Sequence, residues 1–288
     1  LLDPNGILNP DVVLSEDPDI HLKNLKPLPA ADEIVDKCIE CGFCEPVCPS
    51  KGLTLSPRQR IVMWRDIQAK QRAGIDTREL MQTYQYQGLD TCAATGLCAQ
   101  RCPVGINTGE LVKKLRSQAA EHTKTADWLA EHFHTALGGA RLTLTAANTA
   151  RKLLGAPRLG RLSTSLSNAS KGRLPQWTPA MPQPLRPISF GPASNDARPR
   201  VVYLAACVSR VMGPAYADRE QSSLLDKTRS LLEKAGYQVV FPDNADSLCC
   251  GQPFASKGYP EQAEHKRQEL IAALLHASRG GLDPIYCD

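Results

Sequence analysis

Apolar residues recur at helical spacing through much of the first two thirds of the chain. Ser56 and Pro57 have the residue types of a helix N-cap and of the first helical position. After them, apolar side chains share one helical face until Gly74, a predicted stop: Ile61, Trp64 and Ile67. Further helices are predicted over 77–86, 108–122 and 126–170.

The pattern changes at Arg200. Short apolar runs, typical of strands, now alternate with longer amphipathic runs, typical of helices. Strands are predicted over 201–206, 237–241 and 283–286, and helices over 222–235 and 261–277. This alternation favours a parallel sheet. The predicted fold class is mainly α, with an α-helical domain first and a C-terminal α/β domain after it.

Four segments follow from these patterns. Residues 1–28 form a tail with turns, 29–125 a helical domain, 126–199 a helical segment with a Pro-rich linker, and 200–288 the α/β domain. The chain begins at Leu1 without a Met, and it ends on Cys287 and Asp288 directly after a predicted strand. We therefore expect it to be a piece of a longer protein.

Composition limits the class of protein. Hydrophobic residues make up 42% of the chain and charged residues 22%, which is typical of a globular protein. A net charge of +4 is too small to argue for nucleic acid as a partner. No apolar stretch reaches the ~18 residues of a transmembrane segment. We expect a cytoplasmic protein, and peripheral association with the inner face of the cell membrane stays open.

The chain contains 11 Cys, an odd and high number. A secreted disulfide framework usually has an even number of Cys in a shorter chain. Here the Cys residues are closely spaced in two similar runs. This spacing favours reduced thiolates around metal centres.

The first run is Cys38, Cys41, Cys44 and Cys48, followed by Pro49. This C-x2-C-x2-C-x3-C-P spacing is that of bacterial ferredoxins, in which the fourth Cys binds the other cluster. The alternative is a zinc ribbon, which uses paired C-x2-C knuckles instead. The run therefore predicts a [4Fe–4S] cluster.

The second run keeps the same frame but lacks one Cys. Cys92, Cys98, Cys102 and Pro103 occupy their expected positions, and Thr95 stands where the second Cys would be. By the ferredoxin pattern, Cys102 completes the first cluster with Cys38, Cys41 and Cys44. The second cluster then has three thiolates: Cys48, Cys92 and Cys98.

Three thiolates are compatible with a [3Fe–4S] cluster or with a [4Fe–4S] cluster that has a non-Cys ligand. A Thr hydroxyl is a poor ligand for a soft iron–sulfur site. We therefore favour [3Fe–4S] or a labile fourth iron. The alternative is that the second cluster has been lost.

The long spacer between the two runs holds two predicted helices. It makes the domain similar to the α-helical ferredoxins in iron–sulfur subunits of membrane-linked dehydrogenases.

Four more Cys follow the predicted strands of the α/β domain: Cys207, Cys249, Cys250 and Cys287. The carboxyl ends of parallel strands open on one crevice, so these thiols are expected to meet there. The pattern of Cys, then Cys-Cys-Gly, then Cys resembles the cysteine-rich CCG domain of heterodisulfide reductase and of glycolate oxidase iron–sulfur subunits. The resemblance implies a further iron–sulfur centre, or contact with an electron acceptor. The alternative is reduced Cys buried in the core.

The tail carries a second resemblance. Asp3-Pro4 and Leu8-Asn9-Pro10 are similar to the closing segment of FAD-linked oxidases. A flavin-domain end, a helical ferredoxin and a CCG domain, in that order, resemble the bacterial D-lactate dehydrogenases that contain FAD and iron–sulfur clusters.

The resemblance implies a division of labour. FAD, in an oxidase domain upstream in the same chain, would oxidise a D-2-hydroxy acid, with D-lactate to pyruvate as the first expectation. The clusters would pass the electrons to a quinone or a cytochrome. We assign no catalytic residue to this chain.

Two other functions stay open. One is a separate iron–sulfur subunit of the glycolate oxidase or glycerol-3-phosphate dehydrogenase type, against which the tail argues. The other is a non-enzymatic metal-binding protein.

Overall fold

A computed structural model describes residues 3, 7, 15–23, 25, 27–121, 123–186 and 198–288. Half of the predicted FAD-domain tail and residues 187–197 of the Pro-rich linker lie outside the described residues. The chain divides into two compact units, Leu1–Gln118 and Ala119–Asp288. The predicted fold class is confirmed, since helices dominate and a small parallel sheet lies near the C-terminus.

The first unit is helical around its two Cys runs. After a short 3₁₀ turn at Ile20–Leu22, its helices are α1 (Pro57–Arg72), α2 (Arg78–Tyr84), a π-helical turn (Gln85–Asp90), α3 (Leu97–Arg101) and α4 (Thr108–Gln118). The helices predicted over 77–86 and 108–122 are therefore confirmed with shifted ends. The short helix α3 was not predicted.

Helix α1 begins as its sequence predicts. The Ser56 hydroxyl accepts a hydrogen bond from the Gln59 backbone N–H, and the Gln59 side chain accepts one from the Ser56 N–H, so the two form a capping box. The apolar face of α1 is buried against α4. The shared core includes Ile61, Ile67, Leu111 and Val112.

The π-helical turn packs closely on the preceding helix. The ring of Tyr84 stacks on Trp64 with 5.7 Å between ring centroids. A Cβ at Gly88 would lie 2.4 Å from the Tyr84 ring, so only glycine fits there. The close approach fixes the Gly88 carbonyl, which points to the interior and accepts a hydrogen bond from Arg60.

The second unit begins with three helices, α5 (Thr123–Glu131), α6 (Phe133–Leu154) and α7 (Ala156–Ala169). The single helical run predicted over 126–170 is thus divided. Gly155 has a φ of +77°, and Pro157 opens the next helix, so the backbone turns between α6 and α7.

The remaining elements form two small sheets and their helices. They are β1 (Pro182–Pro184), β2 (Arg200–Leu204), α8 (Cys207–Val211), β3 (Met212–Ala215), α9 (Leu224–Lys234), β4 (Gln238–Val240), a 3₁₀ turn (Ala245–Ser247), α10 (Gln252–Lys257), α11 (Pro260–Ala277) and β5 (Ile285–Cys287). The parallel sheet has the order β4-β2-β5, with the first predicted strand in the middle. The parallel α/β prediction is confirmed.

Two differences from the predicted elements concern the α/β region. Strand β1 lies inside the predicted linker and pairs antiparallel with β3, although both strands contain Pro. Pro is tolerated there because this two-stranded sheet consists only of edge strands. Cys287 is the last residue of β5 and not, as predicted, a residue beyond it.

Candidate metal centres

The thiols of the first unit line two cavities. The first cavity is lined by Cys38, Cys41, Cys44 and Cys102. The second cavity is lined by Cys48, Cys92, Cys98 and Thr95. Thr108 lines both, so the cavities are neighbours. The thiols thus divide between the cavities as the ferredoxin pattern divides its ligands, although ligation itself stays a prediction.

The two Cys loops follow the same backbone path. Glu40 and Ala94, each two residues after the first Cys of its run, have φ values of +59° and +49°. Gly42 and Gly96, two residues later, have φ values of +84° and +76°. Left-handed backbone is unfavourable for residues other than Gly. Its presence at Glu40 and Ala94 shows that the second run keeps the loop geometry of the first although Thr95 replaces a Cys.

Burial and neighbouring thiols keep one cysteine of the first cavity protonated. Burial, together with the charges of Cys98 and Cys38 and opposed by nearby backbone N–H groups, raises the pKa of the Cys44 thiol to about 11. Loss of the thiol proton is part of metal binding by cysteine sites. The effect of Cys98 on Cys44 also reflects how closely the two cavities adjoin.

A buried ion pair holds the loop of the first run. Arg65 and Glu40 are joined at 2.9 Å, and their side chains are only 3% and 6% exposed. Arg65 also donates to the backbone carbonyls of Asp36 and Cys38, at 3.1 and 3.0 Å. Because α1 carries Arg65, this helix fixes the start of the Cys loop.

The second cavity has its own arginines. Arg60 is 1% exposed, and its Nη1 lies 3.8 Å from the Cys48 Sγ. Arg116 from α4 donates to the Cys92 carbonyl at 2.7 Å. Sequence analysis did not single out either residue, because their contacts connect positions far apart in the chain.

The donor set fits iron–sulfur clusters. Each cavity is lined by soft thiol donors, which suit iron–sulfur clusters. Within the described residues, no group of three or more Cys, His, Asp or Glu side chains converges as at a single metal ion. The thiolates of a cluster site attach to different iron atoms, so they do not need to converge on one point.

The cysteines of the α/β region come together only in part. Cys207 begins α8 and shares a hydrogen bond with Cys249, which is 1% exposed. The hydrogen bond from Cys249 lowers the pKa of Cys207, and the charge of Arg210 lowers it further. The same hydrogen bond, together with burial, raises the pKa of Cys249. Arg210 is itself buried and donates to the Cys207 Sγ at 3.2 Å.

The other two thiols are exposed. Cys250 follows Cys249, and its charge acts on Cys249. The described interactions of Cys287 include Asp288 but none of the other three thiols. The structure thus brings Cys207 and Cys249 together, with Cys250 next to Cys249 in the chain, and the meeting of all four thiols stays a prediction.

The backbone conformation and close packing require glycine as the third residue of the Cys-Cys-Gly motif. Gly251 has a φ of +80°, and a Cβ there would lie 2.3 Å from the Ala263 carbonyl oxygen of α11. Its N–H donates to the Cys249 Sγ at 3.4 Å. Any other residue would displace α11 or the buried thiol.

Two family models match the chain in these regions. Residues 34–106 match a 4Fe-4S dicluster domain, and residues 201–284 match a cysteine-rich domain. The match to the first model includes both Cys runs. The class of protein is therefore one that carries iron–sulfur clusters.

Curated relatives agree with this class. A probable glycolate oxidase iron-sulfur subunit of Bacillus subtilis is 24% identical over 82% of this chain and 53% of its own length. One subunit of the dihydromethanophenazine:CoB–CoM heterodisulfide reductase from Methanosarcina mazei is 33% identical over 35% of this chain and 27% of its own length. The chain thus spans about half of the first relative and about a quarter of the second. No solved structure matches it.

Together, the domain models and relatives support an iron–sulfur electron-transfer role within an oxidoreductase. Among the described residues, no helix has the length and apolar character needed to cross a membrane.

Proposed function

We propose that this chain is the electron-transfer part of a flavin-dependent D-2-hydroxy-acid dehydrogenase, with D-lactate as the substrate of the whole protein. The observation that carries the electron-transfer part is the pair of adjoining thiol-lined cavities in the first unit. When bound, iron–sulfur clusters accept and donate one electron at a time. The chain's own residues hold them close together and tune their surroundings.

The proposed ligands are those expected from the ferredoxin pattern. Cys38, Cys41, Cys44 and Cys102 hold a [4Fe–4S] cluster in the first cavity. A [3Fe–4S] cluster, or a [4Fe–4S] cluster with a labile iron, is held in the second cavity by Cys48, Cys92 and Cys98. Support comes from the thiols that line each cavity.

Crossed Ser variants test this assignment. Cys48→Ser, although in the first run, should weaken the EPR signal of the second centre in anaerobically purified protein. Cys102→Ser, in the second run, should weaken the signal of the first centre, and Cys44→Ser should do the same. Cys287→Ser is the control and should leave both signals intact. If Cys48→Ser instead removed the same signal as Cys44→Ser, the assignment would be wrong.

The electron donor and acceptor belong to the whole protein. We propose FAD in an upstream domain of the same chain as the donor, and a quinone or cytochrome as the acceptor. Oxidation of D-lactate to pyruvate releases two electrons and two protons, and this chain carries the electrons onward singly. We propose that the whole protein is cytoplasmic or lies peripherally at the inner face of the cell membrane.

Substrate reduction of the clusters tests this proposal. Anaerobic D-lactate, added to the whole protein, should reduce the clusters faster than glycolate or D-2-hydroxyglutarate at equal concentration. EPR after rapid freezing gives the rates. Cluster reduction by glycolate alone would exclude D-lactate as the substrate.

A second candidate function is a separate glycolate oxidase iron–sulfur subunit. The match to the Bacillus subtilis protein over 82% of this chain favours it. In that case the natural gene would begin close to the first Cys run, and a flavin protein would co-purify as a separate chain.

The α/β region is proposed to hold a further centre through Cys207, Cys249, Cys250 and Cys287. The contact between Cys207 and Cys249 and the buried Arg210 beside them support it. Iron and sulfide analysis of a variant lacking the first seven ligand Cys would test it, since any remaining iron must belong to this region.

A further inference from the structure

Arg60 is a buried cation without a carboxylate partner. Its Nε donates to the Gly88 carbonyl at 2.7 Å and its Nη2 to the Thr91 hydroxyl at 3.2 Å. Within the described part of the chain, no Asp or Glu forms an ion pair with it. An Arg side chain stays charged in proteins, and burying a charge is costly unless an anion compensates it. The residues around Arg60 therefore leave one positive charge to be balanced.

A negatively charged cluster in the second cavity can compensate the charge of Arg60. Arg60 lines this cavity, and its Nη1 points to Cys48, a proposed ligand. A cluster with its thiolate ligands is an anion, and its net charge is one of the determinants of its potential.

The first cavity differs in charge. Arg58 lines it, but its Nε is joined to Glu45 at 2.9 Å, and its side chain is 33% exposed. The buried Arg65 nearby is paired with Glu40. Each of these cations has its own carboxylate, so neither leaves a net positive charge for the first cavity.

From this asymmetry, and resting on the proposed function, we propose that Arg60 is a positioning residue that raises the reduction potential of the second centre above that of the first. Reduction adds one negative charge to a centre. An unpaired buried cation stabilises that added charge, because a low local dielectric screens it little. An electron shared by the two centres then resides on the second.

The test is an EPR-monitored redox titration of the cluster-loaded full chain. In the wild type the second centre should be reduced at a higher potential than the first. Arg60→Gln should lower the reduction potential of the second centre by at least about 59 mV, which corresponds to a tenfold change in the one-electron equilibrium constant. Arg60→Lys keeps the charge and should lie closer to the wild type than to Arg60→Gln.

Arg58→Gln is the matched control, since it removes an arginine from the other cavity, and it should leave the second potential unchanged. Iron and sulfide analysis precedes each titration. Wild-type protein without clusters would overturn the proposed function itself.

Two results would overturn the Arg60 inference while the proposed function stood. One is a loaded Arg60→Gln protein with the wild-type potential. The other is a wild type whose first centre is reduced before, or together with, the second. The second of these results needs no variant, so the inference can be overturned even if Arg60→Gln fails to fold.

Discussion

Thr95 is the residue that makes the two centres unequal. It lines the second cavity at the position of the missing Cys, and the loop around it keeps the positive φ values of the first loop. The backbone therefore still presents position 95 to the cavity, and only the donor atom has changed. A hydroxyl in place of a thiolate removes a soft ligand from one corner of the site.

Thr95→Cys should restore that ligand. We expect about one additional iron per chain and loss of the EPR signal of an oxidised [3Fe–4S] cluster, because a fourth thiolate completes the cubane. Iron analysis and EPR of the anaerobically purified variant measure both. Thr83→Cys adds a thiol on the exposed face of α2, at a position that lines neither cavity, so it is the control and should change neither. Unchanged iron content in Thr95→Cys would show that position 95 does not reach the centre.

Helix α1 is the element that joins the two sites. It carries Arg60 towards the second cavity and Arg65 towards the loop of the first. Its N-cap is also linked to that loop, since the Ser56 hydroxyl lies 2.7 Å from a Glu45 carboxylate oxygen. Displacement of the N-terminus of α1 would therefore affect both cavities.

Ser56→Ala tests the role of this N-cap. Loss of the cap should lower the free energy of unfolding by about 1 kcal/mol, because the Gln59 N–H loses its acceptor. Urea unfolding of the loaded protein, followed by circular dichroism, gives the value. Ser165→Ala on the exposed face of α7 is the control, and a change below about 0.5 kcal/mol is expected there. Equal effects of the two substitutions would contradict a special role for Ser56.

At the scale of the whole molecule, the clusters are expected to add to stability. Thiols from distant parts of the chain line one cavity only in the folded state. A group that binds the folded state and not the unfolded one stabilises it by mass action.

Removal of iron by an anaerobic chelator should therefore lower the unfolding temperature. We expect a fall of about 5 °C or more, since tight binding contributes several kcal/mol and ~1 kcal/mol corresponds to a few degrees in a chain of this size. Thermal unfolding followed by circular dichroism measures it. A variant with Cys44 and Cys48 both replaced by Ser serves as the control, because chelation should change it less. An unchanged wild-type temperature after complete loss of iron would contradict the expectation.

The local features of this protein can be predicted from its residues alone. The spacing of Cys38 to Cys48 and of Cys92 to Cys102, the N-cap at Ser56 and the alternation of strands and helices after Arg200 all involve residues close together in the chain. Helix and strand periodicity and loop spacing depend on such neighbours, so sequence patterns predict them.

The packing of the folded chain determines which groups from distant parts of the sequence share a site. The fold places Arg60 at the second cavity, joins Arg65 to the loop of the first run, and brings α11 so close to Gly251 that no side chain fits there. Whether an arginine is buried, and whether a carboxylate lies beside it, depends on how helices pack. That packing joins positions whose separation along the chain carries no regular pattern.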